Sequence, residues 1–211
     1  MESFDTEVFS LKIAEYEHTL VEFVTAWNRA EAALRGLLIR LCEATPASFI
    51  LVSELGALGL AQSLSALTAD RFDEDAKAAI GHAIKFFNQV REFRNYYVHG
   101  IGLVAFNNQT GEAFGVIDII SSKARLAAHQ ENIGIGELTK ASDNAKQLWY
   151  LIQLLLRLLP GLTPGPPQIG LTLAELPQQY PLPARLQKPR SYLLEDFWRD
   201  PLPTQESPSE T

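Results

Sequence analysis

The chain has 211 residues, of which 46% are hydrophobic, so it is long enough for one domain with a substantial core and a smaller appendage. Its 18 basic and 25 acidic residues give a net charge of −7, which excludes a protein that coats nucleic acid through general positive charge. Its single cysteine excludes an internal disulfide framework, a four-cysteine zinc site and a CxxC redox pair.

The sequence shows no predicted targeting segment or membrane span. Residues 1–10 lack the basic and apolar regions of a secretory signal peptide. The longest apolar run, residues 148–162, is interrupted by Gln153, Arg157 and Pro160, whereas a membrane span needs about 20 apolar residues. We therefore expect a cytoplasmic protein without a membrane segment.

Proline divides the chain into two regions. Eleven of the 12 prolines lie at or after Pro160. A proline-poor region is typical of packed helices, and a proline-rich region is typical of irregular structure. We therefore predict a helical domain over residues 1–160 and a proline-rich C-terminal arm over residues 161–211. Leucine and aromatic residues predict that the arm packs in extended form on its own domain or on a partner subunit, with a disordered end at residues 204–211.

The first predicted element is a long amphipathic helix from about Phe9 to Cys42. Its apolar residues recur at helical spacing: Leu20, Phe23, Val24, Trp27, Leu34, Leu37, Leu38 and Leu41. A break near Thr19 is an alternative, because 30 or more residues is unusually long for a helix in a globular protein. We predict short helix within residues 47–69.

A second long helix is predicted from Asp73, whose carboxylate can cap it, to about Val98. It has two apolar stripes, which is typical of a helix at the centre of a bundle. One stripe contains Ala83, Phe86, Val90, Phe93 and Tyr97, and the other begins with Ile80, Ile84 and Phe87. The second stripe continues through Arg91 and Arg94, so it turns cationic towards the end of the helix.

Two further elements complete the predicted domain. Residues 101–106 and 113–120 are rich in β-branched and aromatic residues on either side of a turn-rich stretch, which predicts a β-hairpin packed on the helices. Apolar residues with alternating steps of three and four predict a final helix over residues 136–159. Leucine and tryptophan on its other sides predict burial on several faces, one of them in an interface with another subunit.

The candidate functional side chains lie in residues 91–100, REFRNYYVHG. Glycine is common just after a helix end, so Gly100 predicts that His99 lies in or just beyond the last turn. Within a helix Arg94 and His99 are about 140° apart, so we expect them to converge only if the backbone leaves the helix before His99. Asn95 and His99 can face each other if the helix continues.

This arrangement of Arg94, Asn95 and His99 at the end of a long helix resembles the motif of the HEPN superfamily, the higher eukaryote and prokaryote nucleotide-binding domains. In that pattern four to six residues separate the arginine from the histidine, and a polar residue often follows the arginine. The resemblance covers roughly residues 10–160. It implies a mainly α fold: a HEPN-like helical bundle with a β-hairpin inserted between the last two core helices, followed by the extended arm.

The resemblance also implies a metal-independent endoribonuclease without a cofactor, in which two subunits of a homodimer bring their motifs together on RNA. His99 would be the general acid or base, Arg94 would hold the phosphate, and Asn95 would orient the imidazole or the substrate. Arg91 would add a phosphate contact, and Tyr96 and Tyr97 would stack on a base. A toxin or phage-defence role, with an antitoxin or another protein partner, fits such an enzyme.

Each of these residues also has a structural explanation. Arg94 is equally a candidate for a paired arginine of the core, with Glu92 or another acid, and His99 for a cap of helix carbonyls. Surface pairing is the favoured explanation for Arg91. Core packing is favoured for Tyr97, which continues an apolar stripe.

Two other functions remain open at this point. A non-catalytic HEPN-like dimeric interaction module would use Arg94 and His99 structurally. Binding of a small ligand such as a nucleotide at the same cationic helix end is a third hypothesis.

The other histidines, His18, His82 and His129, show no metal-ligand spacing, so we predict no metal site and expect them at the surface.

Overall fold

A computed structural model describes residues 6–69, 71–107, 110–121, 127–162, 170–185 and 192–193. The helices are α1 (Thr6–Leu41), α2 (Pro46–Ser53), α3 (Ala57–Thr68), α4 (Glu74–Gly100), α5 (Ile135–Leu158) and the short α6 (Leu176–Gln179). The strands are β1 (Ile101–Asn107), β2 (Glu112–Ser121), β3 (Ala127–Gly134) and β4 (Tyr192–Leu193). The described part of the protein is therefore mainly helical, with a small antiparallel sheet, as predicted.

Helix α1 runs for 36 residues without the break considered near Thr19. The Thr19 hydroxyl donates to the Glu15 carbonyl one turn earlier, at 2.9 Å, so this β-branched polar residue is accommodated inside the helix. Tyr16, Phe23 and Trp27 are fully or almost fully buried on one side of α1. The length of α1 is therefore sustained by a continuous apolar stripe that other elements cover.

Helices α1 and α5 pack along each other and run in the same direction. Lys12, near the start of α1, lines a cleft with Ile135, the first residue of α5. Arg40, near the end of α1, lines another cleft with Leu156, near the end of α5. A parallel pair of long helices therefore forms one wall of the domain.

Helix α4 crosses the inner side of this pair in the opposite direction. Near the start of the contact, Phe87 of α4 packs against Trp27 with ring centroids 4.9 Å apart. Farther along α4, Tyr97 contacts Phe23, which lies earlier in α1, with centroids 6.1 Å apart. The central position that the two apolar stripes of α4 predicted is confirmed.

The two ends of α4 differ in how well the sequence predicted them. Asp73 caps the first turn as predicted, because its carboxylate accepts from the Ala76 backbone N–H at 2.9 Å. The prediction that His99 lies in or just beyond the last turn is confirmed, whereas the prediction that Gly100 follows the helix end as a cap is wrong. Gly100 is the last helical residue, and Ile101 already has extended backbone angles (φ −72°, ψ 106°) and begins β1. The helix thus passes into the strand without an intervening loop.

The predicted hairpin is present as β1 and β2, which pair antiparallel with Phe106 opposite Ala113. Gly111 in its turn has a φ of 70°, a conformation that glycine adopts without strain. The sheet also contains β3 and β4, in the order β1-β2-β3-β4, and neither was predicted. Strand β3 was missed because its sequence, AAHQENIG, has few of the β-branched and aromatic residues that indicate strands.

Part of the C-terminal arm packs on the helical domain. Residues 170–185 contain a 3-10 turn (Leu173–Glu175) and α6, and Leu176 is completely buried. The His82 ring nitrogen Nε2 donates to the Tyr180 carbonyl at 2.7 Å. The arm was expected to pack in extended form, yet this segment forms turns of helix. The expectation that His82 lies at the surface is also wrong, because this side chain is half-buried. The end predicted to be disordered, residues 204–211, lies outside the described residues.

No helix in the described ranges combines the length and apolar character that a membrane span requires. Within the same ranges, histidine, cysteine and acidic side chains form no group of three or more that could hold a metal ion.

The contact between α1 and the sheet depends on a glycine. The hydroxyl of buried Tyr16 lies directly above Gly115 of β2, and a Cβ atom at residue 115 would overlap it. We expect Gly115→Ala to lower the free energy of unfolding by about 1–3 kcal/mol, as overpacking of a core does. Gly81→Ala is the matched control, since a Cβ there meets nothing within 4 Å. Urea unfolding of both variants measures the difference; equal effects would contradict this contact.

The buried phenol of Tyr16 also predicts how stability depends on pH. Burial raises its pKa from 10.0 to about 12; the Gly115 backbone, which lowers it, and the Glu137 charge, which raises it, have smaller effects. Above pH 10 the unfolded chain loses this proton while the folded protein keeps it, so the free energy of unfolding falls between about pH 10 and 12. Denaturant unfolding across this range should show a steeper fall for the wild type than for Tyr16→Phe, and parallel curves would contradict the prediction.

Candidate functional site

The predicted motif lies on the last two turns of α4, at the junction of the bundle and the sheet. Arg94 is half-buried, whereas Asn95 and His99 are exposed. On the inner side of the same turns, Tyr97 is only 4% exposed and packs against Phe23, so the core position predicted for it is confirmed. The helix is therefore held by its aromatic side and presents its polar side to solvent.

The Arg94 side chain connects the three motif residues. Its Nη1 atom donates to Asn95 Oδ1 at 3.2 Å and lies 2.5 Å from His99 Nε2. We expected Arg94 and His99 to converge only if the backbone left the helix before His99, and that expectation is wrong. The helix continues through Gly100. The long arginine side chain spans the angle between the two positions without a change in the backbone.

The contact between Arg94 and His99 determines which imidazole nitrogen carries the proton. A guanidinium group has N–H donors and no acceptor, so His99 Nε2 must accept the hydrogen bond from Arg94. The form of the ring that fits this contact is the tautomer with its hydrogen on Nδ1. The electron pair of Nε2 becomes available when a bound hydroxyl displaces Arg94, and an imidazole nitrogen in that state can take the proton of the hydroxyl.

The guanidinium group of Arg94 has donors left for a ligand. Both of its hydrogen bonds come from Nη1, and neither Nε nor Nη2 bonds to any residue that the structure describes. These two atoms present parallel N–H groups, a geometry that matches two oxygens of a phosphate. The site thus places an anion-binding fork beside a proton acceptor.

Two residues predicted to bind substrate do not join this group. Tyr96 is only 6% exposed and lies edge-on to Tyr97 with ring centroids 5.7 Å apart. A ring so covered has no open face, so the predicted stacking of Tyr96 on a base is corrected to core packing. Arg91 is half-buried, and its Nε atom is buried without a partner among the described residues. It lies one turn before Arg94 and makes no described contact with the pair.

The exposed position of the pair predicts a small role in stability. We expect Arg94→Ala to change the free energy of unfolding by about 0–1 kcal/mol, as for other surface polar pairs. Ile80→Ala, at a completely buried position of the same helix, should cost about 2–5 kcal/mol. Thermal unfolding followed by circular dichroism measures both. A loss at Arg94 as large as that at Ile80 would show that the pair is part of the core.

No protein-family model, curated protein or solved structure matches this chain. Its resemblance to the HEPN superfamily therefore rests on the spacing of Arg94, Asn95 and His99 and on their position at the end of a long helix. A function for the chain has to be argued from the geometry of these three side chains.

Proposed function

We propose that the protein is a metal-independent endoribonuclease of HEPN type that acts on RNA as a homodimer in the cytoplasm, in a toxin or phage-defence role. The observation that supports this proposal best is the contact of half-buried Arg94 with exposed His99, in which Arg94 Nη1 lies 2.5 Å from His99 Nε2. Cleavage of RNA without a metal needs a proton acceptor next to a cation that binds phosphate. These two side chains supply both within hydrogen-bond distance.

The reaction follows from the chemistry of the pair. The RNA 2′-hydroxyl replaces Arg94 at His99 Nε2 and gives up its proton, and its oxygen attacks the adjacent phosphorus. The bond from phosphorus to the 5′-oxygen breaks, and this oxygen takes a proton as it leaves. The products are a 2′,3′-cyclic phosphate and a 5′-hydroxyl end. Arg94 offsets the charge that grows on the phosphate oxygens, and Asn95 holds the guanidinium in position.

A homodimer supplies the second proton-transfer group. One imidazole that has just accepted a proton on one side of the phosphorus is badly placed to protonate a leaving group on the other side. A second copy of the motif, facing the first across an interface, provides a second His99, which has turned from Arg94 and donates this proton from its protonated form while the first His99 acts in its neutral form. A facing subunit also excludes water from a site that is open to solvent in the single chain, which strengthens the contacts of Arg94 with phosphate.

The charge of the chain defines the conditions of binding. With a net charge of −7, only a local cationic site attracts RNA, and Arg94 supplies one at the end of α4. Few phosphate contacts give weak binding, so we expect cleavage to favour particular accessible RNA segments and to fall with salt concentration.

The test is incubation of the purified protein with mixed RNA in EDTA. The wild type should produce fragments with 2′,3′-cyclic phosphate ends, while His99→Ala and Arg94→Ala should lose at least about 100-fold in rate, as expected for a catalytic acid–base group and a charge-stabilising group. His18→Ala, which removes an exposed histidine on α1, is the matched control and should cleave at the wild-type rate.

Light scattering and circular dichroism should show that all variants remain dimeric and folded. An intact dimer that leaves every RNA uncut would contradict the nuclease and support a non-catalytic interaction module instead. Cleavage that survives His99→Ala would place the activity elsewhere.

A further inference from the structure

One long surface of the helical wall is not covered by any element that the structure describes. It lies between α1 and α5 on the side away from α4, and we name it the α1/α5 groove. Two clefts of about 430 and 420 Å³ form it, and they are continuous because Arg29 and Trp149 line both. Helical geometry places Arg29 and Gly36 of α1 about 160–180° from Trp27, the side chain that faces α4.

The middle of the groove is apolar and partly open to solvent. Val21 of α1 is 61% exposed and Tyr150 of α5 is 55% exposed, and half-buried Trp149 lies between the two helices. Apolar side chains of this size on one helix face are typical of a surface that binds another protein.

The shape of the groove suits a helix. It extends from His18 to Arg40, which is roughly 33 Å at ~1.5 Å per helical residue. Small residues, Ala32 and Gly36, line the half of the groove nearer Arg40, and a Cβ atom at Gly36 would meet nothing within 4 Å. Small side chains allow two helices to approach at short axial distance.

The charges around the groove select the occupant. Arg29, Arg40 and Lys146 line it, while the one acidic side chain that lines it, Glu22, is 3.6 Å from His18. Arg40 also donates to the Leu162 carbonyl at 3.3 Å, and Lys146 lies 3.5 Å from the exposed carboxylate of Asp143. Exposed contacts of this kind are weak, so both cations can exchange them for carboxylates of a ligand. This cationic rim stands out on a chain with a net charge of −7. A second copy of the chain would bring the same cations against each other, which opposes self-association there. Single-stranded RNA is bound by several ring faces in succession, whereas the described lining of this groove has two large aromatic rings, Trp149 and Tyr150, which pack against each other in a T-shaped arrangement.

We propose that the α1/α5 groove binds an acidic amphipathic helix of a protein partner. The apolar side of that helix lies on Trp149, Val21 and Tyr150, and its carboxylates pair with the cationic rim. The groove and the motif at the end of α4 are separate surfaces, so the helix can bind whether or not the protein cleaves RNA.

The probe is a labelled peptide of about 22 residues, the length that spans the groove, with leucines at helical spacing and glutamates beside them. We expect it to bind the full-length protein with a Kd on the order of 10 µM and to weaken as salt rises. A scrambled peptide of the same composition, and one with lysines in place of the glutamates, should bind at least tenfold more weakly.

Two variants locate the binding surface. Gly36→Trp fills the groove, and Arg29→Glu with Lys146→Glu reverses its charge; each should lower the affinity for the glutamate peptide at least tenfold. Lys85→Glu with Lys140→Glu is the matched control, because these exposed lysines lie outside the clefts, and its affinity should stay within about twofold.

Three results would overturn the proposal. If binding does not depend on the peptide pattern or on the groove variants, the groove is not the binding surface. If a uridine oligonucleotide competes for the groove more strongly than the peptide, the groove binds RNA. If sedimentation shows a dimer that Gly36→Trp dissociates, the groove binds a second copy of the chain. Circular dichroism confirms that each variant is folded.

Discussion

The fold depends on covering the apolar stripe of α1 along nearly its whole length. No single element is long enough for this, so the stripe is covered in sections. The sheet covers Tyr16, and α4 covers Phe23 and Trp27. Helix α5, which has 24 residues against the 36 of α1, runs beside the greater part of α1. The division between sheet and α4 falls where α4 ends, and the candidate site lies at that point. The position of the motif is thus a result of how a very long amphipathic helix is buried.

Local signals in the sequence were sufficient for most of the fold. The apolar spacing of α1, α4 and α5, the carboxylate of Asp73 and the hairpin residues each describe their own segment, and each of these elements is present. Strand β3 forms because β2 offers it a free edge, and its own residues show little preference for strand. The prediction that Gly100 caps the helix failed for a related reason. Glycine usually follows a helix end, but here α4 includes Gly100 and connects directly to β1. Elements that depend on neighbours were the ones missed.

The candidate site shows the same limit. Its residue types were predicted, because arginine, asparagine and histidine lie within six positions of one another. Their geometry was not predicted. The angle between two helix positions gives the direction of each Cα–Cβ bond, but it does not give the position of the terminal atoms of a long side chain such as arginine. The burial of Tyr96 depends on contacts of the whole core. No sequence pattern indicated that cations line the α1/α5 groove. Arg29 and Lys146 are far apart in the chain and come together only through the parallel packing of their helices.

The direct passage from α4 into β1 has a mechanical consequence. A flexible linker would let the sheet turn without disturbing the helix, but here the residue after Gly100 is already paired with β2. Because no loop separates them, the hairpin and the last helical turn, which carries His99, form one continuous segment of backbone. The side chain of Arg94 reaches His99 from the preceding turn. The same end of α4 therefore sets both the position of the sheet and the geometry of the candidate site.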